Sequence, residues 1–219
     1  MKSGIRKKQT RFSKLLLEWR KENNFDQLYP WRNTGNKYRI LLSELLLKKT
    51  TRKQVAQEWR SIVNQCSSFE EIVTCDLRTL KKVLRPLGLE NTRSKSLKDI
   101  SKKITTEFKG RVPKTKESLL SLPGVGPYTA NAVLCFAFGH DVSMLDVNIM
   151  RVLCRVFSVD SKSSERTTGK SLLDFAESLP PRNMGKEFNY AILDFAGDVC
   201  TSRKPNCDNC PLKQICDYV

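Results

Sequence analysis

The chain has 219 residues, and its 39 lysines and arginines outnumber its 23 aspartates and glutamates to give a formal net charge of +16. This excess favours a polyanionic partner, most often nucleic acid, over the alternative of a basic surface that is merely solvated. An apolar run of about 18 residues is lacking, which excludes a membrane span. The basic segment Met1 to Arg11 also lacks the apolar stretch of a secretory signal.

The predicted elements are helices, and we expect an all-α fold. Ser67 and Glu70 have the spacing of a capping box, and Asp76 and Asp146 are suited to cap the helices that follow them. In chain order we predict helices around Phe12–Trp19, over Arg39–Lys49, around Val55–Val63, after Ser67, over Leu77–Leu84 and Ser94–Phe108, from Thr115 to Leu122, over Pro127–Phe138, from Asp146 to Val156, and over Leu172–Leu179 and Phe188–Val199.

Four of the eight cysteines lie close together at the C-terminal end: Cys200, Cys207, Cys210 and Cys216. Without a secretory signal, a reducing compartment and a metal site are better interpretations of this cluster than disulfides. Thiolate ligands select zinc or iron–sulfur. A zinc knuckle remains an alternative, although the spacing lacks the paired CxxC motifs of a zinc ribbon.

A glycine-containing turn separates two predicted helices between Leu122 and Pro127. Backbone N–H groups of Gly124, Val125 and Gly126 at the start of a helix can bind a phosphate oxygen. An ordinary helix–helix turn is the alternative interpretation.

Glu44 lies in a helix with apolar residues on both sides of it. Desolvation there would raise its pKa and suit it to proton transfer. The alternative is a surface pair with Lys48, one helical turn further on. A core leucine beside a turn is one interpretation of Leu89.

The cysteine spacing, with Pro211 after the third cysteine, resembles the cluster loop of endonuclease III-like DNA glycosylases. The Leu-Pro-Gly-Val-Gly turn followed by Asp146 resembles the same helix-hairpin-helix superfamily. The resemblance implies a [4Fe–4S] cluster held by the four cysteines. It also implies two helical domains with a DNA-binding cleft between them: residues 29–138 as a helical barrel with the hairpin, and residues 1–28 with 139–219 as the cluster domain.

In this superfamily the residue matching Asp146 is the catalytic carboxylate, which stabilises positive charge on the deoxyribose as the glycosidic bond breaks. Tyr128 stands where the bifunctional branch has a lysine, and a phenol cannot form the imine that leads to strand cleavage. Glu44 matches a glutamate of the base pocket and, with Tyr128, is expected to face Asp146 across the cleft. The residues expected to contact DNA are Gly124, Val125, Gly126, Lys49, Leu89, Arg203 and Lys204.

The combination of Glu44, Lys48 to Thr51, Tyr128 and Asp146 is most similar to the glycosylases that act on G·T and G·U mismatches. We therefore expect a monomeric, monofunctional enzyme of base excision repair that acts on mismatched double-stranded DNA. It would be cytoplasmic or nucleoid-associated if the source is prokaryotic. The alternatives are an adenine-specific or oxidised-pyrimidine glycosylase, or a DNA-binding module without enzymatic activity.

Overall fold

The computed structural model describes residues 2–159 and 169–219. Within these ranges it contains helices and turns and no strand, which confirms the all-α prediction. The helices are α1 (Lys2–Asn23), α2 (Lys37–Leu46), α3 (Arg52–Gln65), α4 (Phe69–Thr74), α5 (Leu77–Leu84), α6 (Glu90–Glu107), α7 (Lys116–Leu120), α8 (Pro127–Phe138), α9 (Val147–Phe157), α10 (Gly169–Glu177) and α11 (Gly185–Asp198).

The chain forms two compact units. The continuous unit runs from Asp26 to Phe138, and the discontinuous unit combines Met1–Phe25 with Gly139–Val219. None of the helices in the described parts of the chain is long and apolar enough to cross a membrane.

The continuous unit is built on two apolar helices, α2 and α8, which pack against each other, and on α6, which packs against α4 and α5. The predicted apolar face of α6 is buried, with Leu97, Ile100 and Ile104 all in the core. The functional residues of this unit therefore lie on a framework that is fixed by ordinary apolar burial.

The discontinuous unit joins the first helix to the C-terminal part of the chain, because α1 packs on α11 and α11 on α9. Aromatic rings connect α1 to both of these helices. The ring centroids of Phe12 and Phe157 of α9 are 5.2 Å apart, and those of Trp19 and Phe195 of α11 are 5.7 Å apart. Edge-to-face packing of this kind stabilises a core beyond simple area burial.

Several predicted helix starts are confirmed. Asp76, Thr115 and Asp146 are the N-caps of α5, α7 and α9, and Pro127 is the first residue of α8. These positions were predictable because each cap acts locally, through side-chain bonds to N–H groups two or three residues on.

Several predicted boundaries are wrong. The cap of α4 is Ser68 rather than Ser67; the Ser68 side chain accepts from the Glu71 N–H, and the Glu71 carboxylate accepts from the Ser67 N–H. Helix α2 ends at Leu46 rather than at Lys49, because the chain turns there. Helix α6 starts at Glu90, four residues before the predicted start.

Candidate functional site

Glu44 is a buried carboxyl group on α2. The helix is capped by Asn36 and is buried along almost its whole length, so the Glu44 side chain is only 7% exposed. Burial raises the pKa of Glu44 to about 7, although Arg32 and Lys48 act in the opposite direction. The interpretation as an exposed surface pair is therefore wrong, and the carboxyl can exchange a proton near neutral pH.

A buried arginine accompanies Glu44 in the continuous unit. Arg32 Nη1 lies 3.6 Å from Asp26 Oδ1, and its guanidinium lies 4.5 Å from the centre of the Tyr29 ring. The ion pair and the ring contact stabilise the buried cation. Arg32 was not predicted as a site residue, although its charge acts on Glu44 and lowers the pKa of that carboxyl.

The turn that follows α2 contacts the hairpin turn between α7 and α8. Lys48 Nζ donates to the Gly124 carbonyl, and partial burial lowers the pKa of Lys48. Gly124 has a φ of 73°, a conformation that favours glycine. The Val125 side chain is buried beneath the turn, and Tyr128 follows as the half-buried second residue of α8.

Lys49 and Leu89 occupy two turns with the same unusual backbone. Their φ angles are 56° and 54°, in the left-handed region that side chains other than glycine rarely adopt. Leu89 is 53% exposed, so the interpretation as a core leucine is wrong. Both residues line one cavity of about 180 Å³.

Asp146, in the discontinuous unit, is held by three donors. Its Oδ1 accepts from the N–H groups of Asn148 (2.9 Å) and Ile149 (2.8 Å), and its Oδ2 accepts from Asn148 Nδ2 (2.9 Å). The chain of bonds continues through Arg151, which donates to Asn148 Oδ1 (2.9 Å) and to the Cys200 carbonyl (3.0 Å). The Asp146 carboxylate is thus fixed in direction and connected to the C-terminal cysteine loop.

The four C-terminal cysteines line a common cavity: Cys200, Cys207, Cys210 and Cys216. Arg155 of α9 lies beside it, with Nη1 3.4 Å from Cys200 Sγ and donating to the Thr201 carbonyl (2.7 Å). Within the described ranges, no three histidine, cysteine, aspartate or glutamate side chains are grouped as a single bound ion requires. None of the eight cysteines, all of which lie in the described ranges, forms a disulfide.

Comparison with known families identifies the fold. Residues 42–178 match the model of the HhH-GPD superfamily of base excision DNA repair proteins. The chain belongs to this superfamily. Residues 200–216 of this HhH-GPD protein also match the iron–sulfur binding domain of endonuclease III, which spans the four cysteines.

Relatives of this HhH-GPD protein cover nearly its full length. It is 39% identical to the thymine/uracil-DNA glycosylase of Pyrobaculum aerophilum, over 95% of this chain and 92% of the relative. It is 38% identical to the thymine-DNA glycosylase of Aeropyrum pernix, over 93% and 92%. The solved structure of a thermostable thymine-DNA glycosylase aligns with a TM-score of 0.89 at 33% identity, covering 98% of this chain and 97% of that one.

The cofactor of this HhH-GPD protein is a [4Fe–4S] cluster, as its iron–sulfur binding domain indicates. The donor set around the common cavity fits this cofactor, because soft thiolates are the ligands that iron–sulfur clusters take. Burial raises the pKa of the Cys210 and Cys216 thiols, and bound iron would favour their deprotonated form.

The predicted site residues of this HhH-GPD protein are only partly brought together within each unit. Lys49 and Leu89 share a cavity, and the cysteines share another. By contrast, Arg203 and Lys204 are exposed in the loop between the first two cysteines. Five polar side chains that contact the site residues or the turns carrying them were not predicted: Arg32, Arg93, Asn148, Arg151 and Arg155.

Proposed function

We propose that this HhH-GPD protein is a monofunctional DNA glycosylase that releases thymine or uracil mispaired with guanine and leaves an abasic site. The observation that carries the substrate class is its similarity, along 95% of the chain, to a thymine/uracil-DNA glycosylase. We further propose that it acts as a monomer on double-stranded DNA.

In the proposed reaction Asp146 stabilises the positive charge that develops on the deoxyribose. Its three donors support this role, because they hold the carboxylate in one direction before the charge appears. Oδ2 accepts one of these bonds, and a carboxylate oxygen has room for a second partner such as the attacking water.

Glu44 is proposed to contact the flipped base. Because burial raises its pKa to about 7, the carboxyl can donate a hydrogen bond to a base oxygen in its protonated form. Thymine and uracil leave as reasonably stable anions, so the hydrogen bond need not become a complete proton transfer.

Tyr128 is proposed to limit the reaction to base release. It is the second residue of α8, directly after the hairpin turn, where the resembling bifunctional enzymes have their lysine. A phenol oxygen cannot condense with the sugar aldehyde to form an imine. The strand should therefore stay intact until alkali breaks it at the abasic site.

The hairpin backbone at Gly124, Val125 and Gly126 is proposed to bind a phosphate at the start of α8. The left-handed φ of Gly124 and the open space beside Gly126 support this role, since both let a phosphate approach the backbone closely. Arg203 and Lys204, both exposed, are proposed to add phosphate contacts that carry no sequence information.

We propose that Cys200, Cys207, Cys210 and Cys216 are the cluster ligands. When bound, the cluster would covalently link parts of the C-terminal loop to one another, from Cys200 just after α11 to Cys216. In a test, Cys207→Ser should lose most of the protein-bound iron and the visible absorbance of the cluster. Cys154→Ser, which changes a half-buried thiol of α9 outside the loop, is the control and should keep both. Equal iron content in the two variants would contradict this ligand set.

The function is tested with labelled duplexes containing G·T, G·U, A·G or A·8-oxoguanine, each split into samples with and without hot alkali. We expect breakage of the thymine or uracil strand after alkali alone. Breakage of the adenine strand would instead indicate an adenine-specific enzyme, and breakage without alkali would contradict the role of Tyr128. Binding without release of any base would indicate a DNA-binding module.

A further inference from the structure

Two turns of the continuous unit hold an exposed side chain on a left-handed backbone. Lys49 has a φ of 56° and Leu89 a φ of 54°. For residues other than glycine this conformation costs free energy, and it persists only where the surrounding structure imposes it. Some group must therefore impose the left-handed conformation on two turns that are forty residues apart in sequence.

Arg93 of α6 holds the first turn. Its Nη1 donates to the carbonyls of Leu45 (3.2 Å) and Leu46 (2.9 Å), at the end of α2. Its Nη2 donates to the Lys48 carbonyl (3.2 Å) and to Thr50 Oγ1 (2.7 Å). These bonds satisfy carbonyls that the end of a helix leaves without partners, and they fix the chain on both sides of Lys49.

The same guanidinium holds the second turn. Arg93 Nε donates to the Gly88 carbonyl (3.3 Å), directly before Leu89. Thr50 Oγ1 accepts a hydrogen bond from Arg93 and in turn donates one to the Leu87 carbonyl (3.5 Å). One buried side chain, 7% exposed, thereby connects the turn of Lys49 to the turn of Leu89.

Only arginine has donors arranged for this task. Its planar fork presents five N–H groups on three nitrogens in fixed directions, whereas lysine has one nitrogen on a flexible stem. Arg93 also lines the cavity of about 180 Å³ that Lys49 and Leu89 share. The two exposed side chains therefore border one space, whose width depends on the guanidinium beneath it.

We propose that Arg93 is a positioning residue for base-pair opening. It sets the spacing and direction of Lys49 and Leu89, so that both can enter the space that a flipped base leaves. This inference rests on the proposed function, because it requires a base to leave the duplex, and Lys49 and Leu89 are among the residues expected to contact DNA. Arg93 itself touches neither the base nor the sugar.

The test uses Arg93→Gln and a matched control on the same helix, Lys98→Met. Lys98 Nζ also donates to backbone carbonyls, those of Val73 (2.9 Å) and Cys75, but it holds a turn that carries no proposed DNA contact. Single-turnover rates are measured on uracil opposite guanine and on uracil opposite an abasic-site analogue, where opening costs little. Melting temperatures of both variants are measured in parallel.

We expect Arg93→Gln to slow release from the G·U duplex about tenfold more than release opposite the abasic analogue. Lys98→Met should change both rates by the same factor. Arg93→Lys keeps the charge and one or two of the bonds, so it should recover part of the difference, and it replaces the glutamine variant if that fails to fold. An equal loss on both substrates would show that Arg93 only stabilises the fold, and would overturn the proposal.

A second readout keeps this inference separable from the proposed function. If the wild-type protein releases no thymine or uracil, the proposed function fails, but opening can still be followed by the fluorescence of 2-aminopurine beside the mismatch. The wild type should raise this fluorescence on binding, and Arg93→Gln should raise it less at saturation. Equal fluorescence for the two proteins would overturn the role of Arg93.

Discussion

Each of the two units contains one carboxyl group with a proposed role in the reaction, and the two groups lie in opposite kinds of environment. Glu44, in the continuous unit, is buried in an apolar helix, and burial raises its pKa to about 7. Asp146, in the discontinuous unit, is half-buried at a helix start and accepts three hydrogen bonds. Burial favours the protonated form of Glu44, whereas the three donors fix the direction of the Asp146 carboxylate.

This difference indicates a division of tasks. A group that exchanges a proton near neutral pH is suited to hydrogen-bond a leaving base, and a fixed carboxylate is suited to stabilise a cation. Each carboxyl group can be substituted without changing the other, which separates the two tasks.

The largest effect should come from removing the charge of Asp146. Asparagine is also a good N-cap, so Asp146→Asn should keep α9 folded. We expect single-turnover base release to fall about a thousandfold while the affinity for mismatched duplex changes little, because only the charge stabilisation of the transition state is lost. Rapid-quench kinetics and equilibrium binding measure the two quantities.

Asp76→Asn is the control for this substitution. Asp76 caps α5 in the same way, with Oδ2 accepting from the N–H groups of Arg78 (2.8 Å) and Thr79 (3.1 Å). It should cost the same small amount of stability and leave the rate unchanged. A parallel loss of binding and rate in Asp146→Asn would mean that Asp146 is only a cap.

Removing the titration of Glu44 should have the second largest effect. In the folded state its pKa is about 7, against an ordinary value of 4.5. The proton is thus bound more tightly in the folded state, and the stability that this contributes is complete below pH 4.5 and is lost as the pH rises through about 7. Glu44→Gln lacks this dependence.

The melting temperature of the wild type, relative to that of Glu44→Gln, should therefore decline between these two pH values. The rate of base release by the wild type should decline above pH 7 as well, and the variant should be about tenfold slower with a flat profile. Stability curves that run parallel in pH would show that Glu44 does not titrate there.

The sequence could predict the fold class and the local caps, but not the burial of individual polar residues. Apolar residues lie on all sides of α2, between its polar ones, so its periodicity could not tell whether Glu44 points inwards. Arg93 lies four residues before Leu97 on the buried face of α6. A basic residue on such a stripe was an available signal that the sequence analysis missed. Four of its five acceptors lie between Leu45 and Thr50, at least 43 residues away in the chain, and depend on tertiary structure.

A smaller effect should follow from removing one donor of Asp146. Asn148→Ala deletes the bond to Oδ2 and also the acceptor of Arg151, while both backbone N–H bonds to Asp146 remain. A net loss of about 1 kcal/mol in positioning should slow base release roughly fivefold. Asn23→Ala, which removes an exposed asparagine from the end of α1, should leave the rate unchanged, and equal rates for the two variants would mean that Asn148 does not orient the carboxylate.

The smallest effect should come from the hairpin backbone, where neither carboxyl is involved. A Cβ added at Gly126 meets no atom within 4 Å, and the same is true of Gly35 in a loop of the same unit. Both alanine variants should therefore fold with nearly unchanged melting temperatures. If a phosphate packs against the Gly126 backbone, Gly126→Ala should weaken duplex binding about threefold at low salt, since weakening one neutral N–H contact costs about 0.6 kcal/mol. Gly35→Ala should bind as the wild type does, and equal affinities of the two variants would place the phosphate elsewhere on the protein.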